Sequence, residues 1–174
     1  MTPEDRLRSL DLELPPPPIP VASYSLSVRA GDLLFLSGTT CYLGGKPMYT
    51  GKVGGDLSTE QGQEAARQTA LNLLSVLRYE LGDLGRVAQV VKVNGYVNSA
   101  PGFVDQPAVM NGVSDLLLAV FGEPGRHART SIGVAELPGN IPIEVEMIVR
   151  VGPRPSSSRA GSSTKRTTAR GRAR

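Results

Sequence analysis

Residues 126–148 read RHARTSIGVAELPGNIPIEVEMI, two strand-like runs joined by a short turn. The runs span residues 128–135 and 141–151, and the second alternates apolar with mostly polar side chains, the pattern of a strand with one buried face. We expect an antiparallel pair that brings Arg129 and Glu144 to the same end of a sheet. A cation and a carboxylate placed there can share a ligand pocket, or can form a surface ion pair of little energetic value.

Two segments before this block have helical periodicity. Pro107–Phe121 carries an apolar stripe and stops at Gly122. The longer helix starts at a capping box, in which the Ser58 and Gln61 side chains satisfy each other's backbone donors, and it ends at Gly82. Its apolar positions are Ala66, Ala70, Leu73, Leu74, Leu77 and Leu81.

The remaining segments of the central region read as strands and a loop. Arg86–Val97 is rich in valine, which favours a strand, and Tyr24–Arg29 with Leu33–Ser37 is predicted to form a hairpin. Cys41–Gly55 holds five glycines and is predicted to be a surface loop. The order of strands and helices indicates an α+β fold, a mixed β-sheet with two main helices on one face.

The two ends of the chain differ from its centre. At the N-terminus, Thr2 and Pro3 suit the start of a short helix, and Pro15–Pro18 with Pro20 form a stiff arm. The last 22 positions hold seven basic residues and no acid, whereas the rest of the chain has a net charge of about −4. The predicted organisation is an N-terminal helix and proline-rich arm, a central domain and a disordered basic tail, in residues 1–20, 21–152 and 153–174.

Composition narrows the classes of function. Cys41 is the one cysteine and His127 the one histidine, which excludes an intrachain disulfide and a cysteine- or histidine-rich metal centre and favours a cytoplasmic protein. No segment has the roughly 20 apolar residues of a membrane span. Nucleic acid could bind only through the basic tail, because the remainder is acidic. His127, which lacks an obvious partner, is predicted to have a structural or solvent-facing role.

Several of these residues together resemble the Rid family, also called YjgF or L-PSP. The block at residues 126–148 is similar to that family's pattern PAR-x(8)-P-x(5)-E-x-E. Three smaller matches are the tripeptide Leu36-Ser37-Gly38, Tyr24 thirteen residues before Ser37, and Asn111 on the second helix. The resemblance covers about residues 20–151.

The resemblance implies a chorismate-mutase-like subunit of the Bacillus type and a homotrimer with three ligand clefts at subunit interfaces. Familiar members hydrolyse enamine and imine intermediates, such as 2-aminoacrylate and 2-iminobutanoate, to 2-keto acids and ammonia without a metal or cofactor. The implied activity is therefore that of a 2-iminobutanoate/2-iminopropanoate-type deaminase acting on small imino acids.

Residue by residue, the resemblance implies that Arg129 binds the substrate carboxylate in a bidentate pair and that Glu144 activates the attacking water. Ser131 falls where many members carry a cysteine. The other residues implied to line the cleft are Tyr24, Ser37, Gly38 and Asn111. Thr39-Thr40-Cys41 stands where familiar deaminases have a glutamine, which indicates a divergent subgroup.

Two other functions are compatible with the sequence. One is a trimer that binds a small carboxylate or aromatic metabolite without catalysis, since the same fold can host either function. The other is an RNA-directed role of the endoribonuclease type, which the acidic body disfavours because it lacks a basic groove with aromatic side chains.

Overall fold

The computed structural model describes residues 1–18 and 23–153. The predicted basic tail lies outside these residues beyond Pro153, and so does Pro20 of the predicted arm. The described ranges contain seven strands, three α-helices and three short 3-10 helices, and none of these helices is long and apolar enough to cross a membrane. The α-helices are α1 (Pro3–Ser9), α2 (Thr59–Leu81) and α3 (Gln106–Phe121). The strands are β1 (Ser27–Ala30), β2 (Leu33–Thr40), β3 (Tyr42–Leu43), β4 (Lys46–Pro47), β5 (Val87–Asn98), β6 (Ala128–Val134) and β7 (Ile143–Val151).

Five strands form one mixed sheet in the order β1-β2-β7-β5-β6, in which β5 and β6 run parallel and all other neighbours run antiparallel. Both long helices pack on the same side, where α2 contacts β2 and β7 and α3 contacts β5 and β6. The predicted α+β class, with two main helices on one face of a mixed sheet, is confirmed.

The predicted pairing of the two C-terminal strands is wrong. β6 pairs with β5, and β5 lies between β6 and β7. The reason is the α3 connection, because a helix that crosses over one face returns the chain as a parallel neighbour of the strand it left. β7 then occupies the other side of β5. Arg129 and Glu144 therefore lie on strands that do not touch.

Capping residues near the helix ends determine where α1 and α2 begin and where α2 ends, as predicted. The Ser58 hydroxyl accepts a hydrogen bond from the backbone N–H of Gln61, and the Gln61 side-chain oxygen accepts one from the backbone N–H of Ser58. Gly82 ends α2 in the left-handed region at φ 77°. Thr2 caps α1 through the same reciprocal arrangement with Asp5. Leu7 of α1 is buried in the core, so this short helix is fastened to the domain.

The segment predicted as a surface loop, Cys41–Gly55, is partly structured. It contains the small hairpin β3–β4, and its residues Cys41 and Val53 are fully buried. Val53 donates to the Asn98 carbonyl and accepts from Ala100, which ties the segment to the end of β5. The predicted hairpin of β1 and β2 is present, although its first strand begins at Ser27 rather than Tyr24.

The sheet face away from the helices has no cover within the described chain. It exposes apolar side chains from neighbouring strands: Val28 is 62% exposed and Phe35, opposite it in the register, is 40% exposed. The same face carries a polar group in which Asn94 and Tyr96 both donate to one oxygen of Glu146, at 2.9 and 3.0 Å. We refer to this side as the open face.

Candidate functional site

Glu144 lies on the open face near the start of β7, and its carboxylate sits directly over Gly38 of the neighbouring strand β2. A Cβ atom at position 38 would lie 1.9 Å from the Glu144 Oε1 atom, so a glycine is required there. Burial raises the pKa of the Glu144 carboxyl, and the negative charge of Glu146 raises it further. A half-buried carboxylate with a raised pKa is suited to accept a proton from water.

A cavity of about 740 Å³ opens beside this carboxylate, at the edge of β2 beyond the end of β1. Tyr24 and Gly38, which the resemblance implies to line a ligand cleft, are among its lining residues. The Asn72 amide of α2 shapes its wall by donating to the carbonyls of Thr40 and Tyr42, each at 2.8 Å. The remaining lining residues are Pro15, Pro16, Pro17, Pro18, Leu26, Thr39, Gly44, Gly45, Pro138, Gly139, Ile141 and Glu144.

Ser37 does not line the cavity. Its hydroxyl donates to the Ser25 carbonyl at 2.6 Å, and its backbone N–H donates to the Leu26 carbonyl at 3.0 Å. These bonds hold the segment that carries Tyr24 against β2. The contribution of Ser37 is therefore to position Tyr24.

Arg129 lies on β6 and faces α3, where the helix holds its guanidinium group. Nη1 donates to the Asn111 Oδ1 atom and to the Ser114 hydroxyl, both at 3.0 Å, and Nη2 donates to the Pro107 carbonyl at 3.2 Å. A guanidinium has five N–H donors. One donor on Nε and one on Nη2 have no acceptor among the described residues. Arg129 is thus fixed in place while keeping two adjacent nitrogens able to bind a carboxylate.

Ser114 and His127 extend this group. The Nδ1 atom of His127 must donate to the Gly125 carbonyl, 2.7 Å away, because a carbonyl can only accept. In the neutral ring Nε2 then accepts from the Ser114 hydroxyl at 3.0 Å, and the Ser114 oxygen accepts from Arg129. Burial lowers the pKa of His127, against the opposing Gly125 hydrogen bond, and the Arg129 charge lowers it further.

The structural role predicted for His127 thus takes the form of a contact with Ser114, which in turn contacts Arg129. Ser114 was not among the site residues predicted from the sequence. Its spacing could have indicated it, because Ser114 follows Asn111 by three positions and so shares its face of α3.

Ser131 follows Arg129 on the same face of β6, opposite Gly95 in the register. Its hydroxyl is buried and has no hydrogen-bond partner within residues 1–18 and 23–153. Arg129, Asn111 and Ser131 therefore lie on the same side of the sheet. Ser114 and His127 lie beside them, because Ser114 contacts both Arg129 and His127.

The predicted site residues thus form two groups that one chain does not bring together. In the strand register Arg129 is level with Val93 of β5, whereas Glu144 is level with Tyr96 and points to the opposite face. β6 and β7 are two strand spacings apart, about 10 Å, and three register positions add about 10 Å along the strands. A small ligand cannot bridge Arg129 and Glu144 of the same chain, nor can these residues form the ion pair that the sequence left open.

Metal ligands are not clustered in either group. Across the described part of the chain, no three His, Cys, Asp or Glu side chains are placed to hold a metal ion. Cys41 is buried, and burial raises the pKa of its thiol, partly offset by backbone hydrogen bonds.

Comparison with known proteins shows similarity over almost the whole described chain. Residues 4–148 match a family profile described as "YjgF/chorismate_mutase-like, putative endoribonuclease". The chain is 43% identical over 146 residues to protein TCP17 of Trypanosoma cruzi, covering 83% of this chain and 91% of that protein. It is 31% identical over 139 residues to a 2-iminobutanoate/2-iminopropanoate deaminase of Dermatophagoides farinae, covering 79% and 93%.

A solved structure is similar in fold as well as sequence. The crystal structure of a "putative endoribonuclease" from Shewanella oneidensis superposes with a TM-score of 0.84 at 34% identity. The match covers 86% of this chain and 99% of that one.

Proposed function

This chain belongs to the YjgF/chorismate mutase-like family, and on that basis we propose that it is a homotrimeric deaminase that hydrolyses 2-imino acids to 2-keto acids and ammonia. The Dermatophagoides farinae relative, 31% identical, is named for this activity. The observation that carries the proposal is the division of the site: a carboxylate-binding arginine and a half-buried carboxylate lie on opposite faces of one sheet.

Assembly of subunits would bring the group around Arg129 next to the group around Glu144. In a closed ring of three subunits, Arg129 of one subunit faces Glu144 of the next, and three equivalent clefts result. The open face supports this arrangement, because its exposed Val28 and Phe35 gain cover when subunits pack against it.

The reaction in such a cleft needs two roles. Arg129 binds the substrate carboxylate through its two remaining N–H donors and so fixes the imine carbon next to the Glu144 carboxylate of the neighbouring subunit. Glu144 takes a proton from water as the water oxygen attacks that carbon, and the proton passes to the imine nitrogen. Glu144 then passes the hydroxyl proton of the resulting carbinolamine to its amino nitrogen as the C–N bond breaks, which releases ammonia and forms the keto group.

The Arg129→Lys variant tests the binding role. Lysine keeps the positive charge but loses the planar pair of donors, so we expect kcat/KM to fall about 10- to 100-fold. The measurement is the rate of keto-acid release when the protein is added to an amino-acid dehydratase reaction. Arg8→Lys is the matched control, because Arg8 is exposed on α1, where its guanidinium group pairs with Asp5.

The Glu144→Gln variant tests the role of Glu144 as the base. The amide preserves the shape of the side chain and removes the base, so kcat falls more than KM changes. Wild-type protein that fails to accelerate keto-acid release from several imino acids refutes the proposal, as does acceleration that both variants leave unchanged. Binding of a small carboxylate without acceleration favours the non-catalytic binder instead.

A further inference from the structure

We propose that the cavity beside Glu144 is a binding site for the side chain of the substrate, and that this side chain is large and aromatic. This inference rests on the proposed imino-acid deaminase function. It goes beyond that function because it names the substrate class that this chain prefers.

The size of the cavity is the first observation. Its 740 Å³ lies within the range of about 300–1,000 Å³ in which pockets enclose drug-sized ligands. A small imino acid such as 2-iminobutanoate fills a minor part of such a space.

The chemistry of the walls is the second observation. Tyr24, Tyr42, Leu26, Ile141 and the run Pro15–Pro18 are among the residues that line the cavity, and Glu144 is the one charged residue among those described. A negatively charged substrate side chain would lose its hydration here and meet the Glu144 carboxylate, whereas a positively charged one would pair with the catalytic base itself. An aromatic ring instead buries apolar area and stacks against the flat faces of the tyrosine and proline rings.

The polar group in the wall does not change this conclusion. Both hydrogen bonds donated by the Asn72 amide nitrogen go to the carbonyls of Thr40 and Tyr42, and its oxygen accepts from Gln68 at 3.0 Å. Asn72 therefore builds the wall and has no donor to offer a ligand.

The proline segment is held in place before any ligand binds. The Ser75 hydroxyl of α2 donates to the Pro15 carbonyl, and Leu12 and Leu14 pack against the hydrophobic core just before it. A stiff proline run anchored in this way loses little conformational freedom on binding, so the cavity is already shaped for its ligand.

The test compares two imino acids generated in solution by an L-amino-acid oxidase, one from phenylalanine and one from alanine. We expect kcat/KM of the wild-type protein to be at least about tenfold higher for the phenylalanine-derived imine. We expect the Tyr42→Ala variant to lower kcat/KM for the phenylalanine-derived imine about tenfold and to change kcat/KM for the alanine-derived imine less than about twofold. Tyr24→Ala is the second variant, expected to act in the same direction.

Tyr79→Ala provides the control. Tyr79 is 68% exposed on α2 and does not line the cavity, so this variant should retain the wild-type ratio between the two imines. Equal or faster turnover of the alanine-derived imine by the wild type overturns the inference and leaves the deaminase function standing.

If the protein is not a deaminase, it accelerates the hydrolysis of neither imine. In that case calorimetric titration with phenylpyruvate and pyruvate tests whether the cavity binds an aromatic side chain. Tighter binding of phenylpyruvate, weakened by Tyr42→Ala, supports an aromatic site. Equal binding of the two keto acids, or binding of neither, overturns it.

Discussion

Gly38 sets the position of the Glu144 carboxylate, because no side chain stands between the two strands at that point. We predict that Gly38→Ala lowers kcat about 100-fold, since its Cβ atom would lie 1.9 Å from Oε1 and must displace the carboxylate. The measurement is steady-state turnover of an imino acid, together with the thermal unfolding midpoint.

The matched control for this variant is Gly152→Ala. Its added Cβ atom meets the Ala88 Cβ atom at an ordinary 3.5 Å, so turnover should stay at the wild-type level. A Gly38→Ala protein that turns over within about twofold of the wild type would show that Glu144 need not lie where the structure places it.

His127 makes the stability of the fold depend on pH. Its pKa is lowered in the folded protein by burial and by Arg129, whereas the unfolded chain takes up the proton near pH 6.5. The unfolded state therefore binds more protons below that pH, and the free energy of unfolding falls as the pH drops from about 6.5 towards the lower folded pKa.

The variant His127→Gln removes this contribution. We predict that its free energy of unfolding declines less between about pH 7.5 and 5.5 than that of the wild type, measured by urea denaturation at one protein concentration. An equal or steeper decline in the variant would mean that His127 does not resist protonation in the folded state.

At the level of elements, the sequence was sufficient where the signals are local. The capping residues Thr2 and Ser58 and the terminal Gly82 act within one turn of their helices, and all three act as predicted. The relation of Gly38 to Glu144 was likewise accessible through the resemblance, which placed both residues in one cleft.

Strand order was not accessible in the same way. The run from residue 128 to 135 can pair with the following strand or with the preceding one, and both pairings satisfy its own hydrophobic pattern. The choice depends on α3 crossing the sheet, which is a property of the whole domain. The contact of Ser75 with Pro15 is comparable, since 60 residues separate them and neither carries a motif.

At the scale of the whole molecule, the sheet separates the proposed site into two incomplete parts. The helix face holds Arg129 with Asn111, Ser114 and Ser131, and the open face holds Glu144 beside a large cavity. Neither part can bind a carboxylate and activate water by itself. The proposed activity therefore depends on a trimer in which each cleft takes residues from two subunits.

Subunit complementation tests this claim most directly. Arg129→Ala and Glu144→Gln chains, each inactive alone, are produced together with different affinity tags, and trimers that contain both are isolated. A ring with both kinds of subunit has one cleft in which an intact Arg129 faces an intact Glu144, so we predict recovery of about one third of the wild-type turnover. Mixed trimers with no more turnover than the single variants would contradict a site shared between subunits.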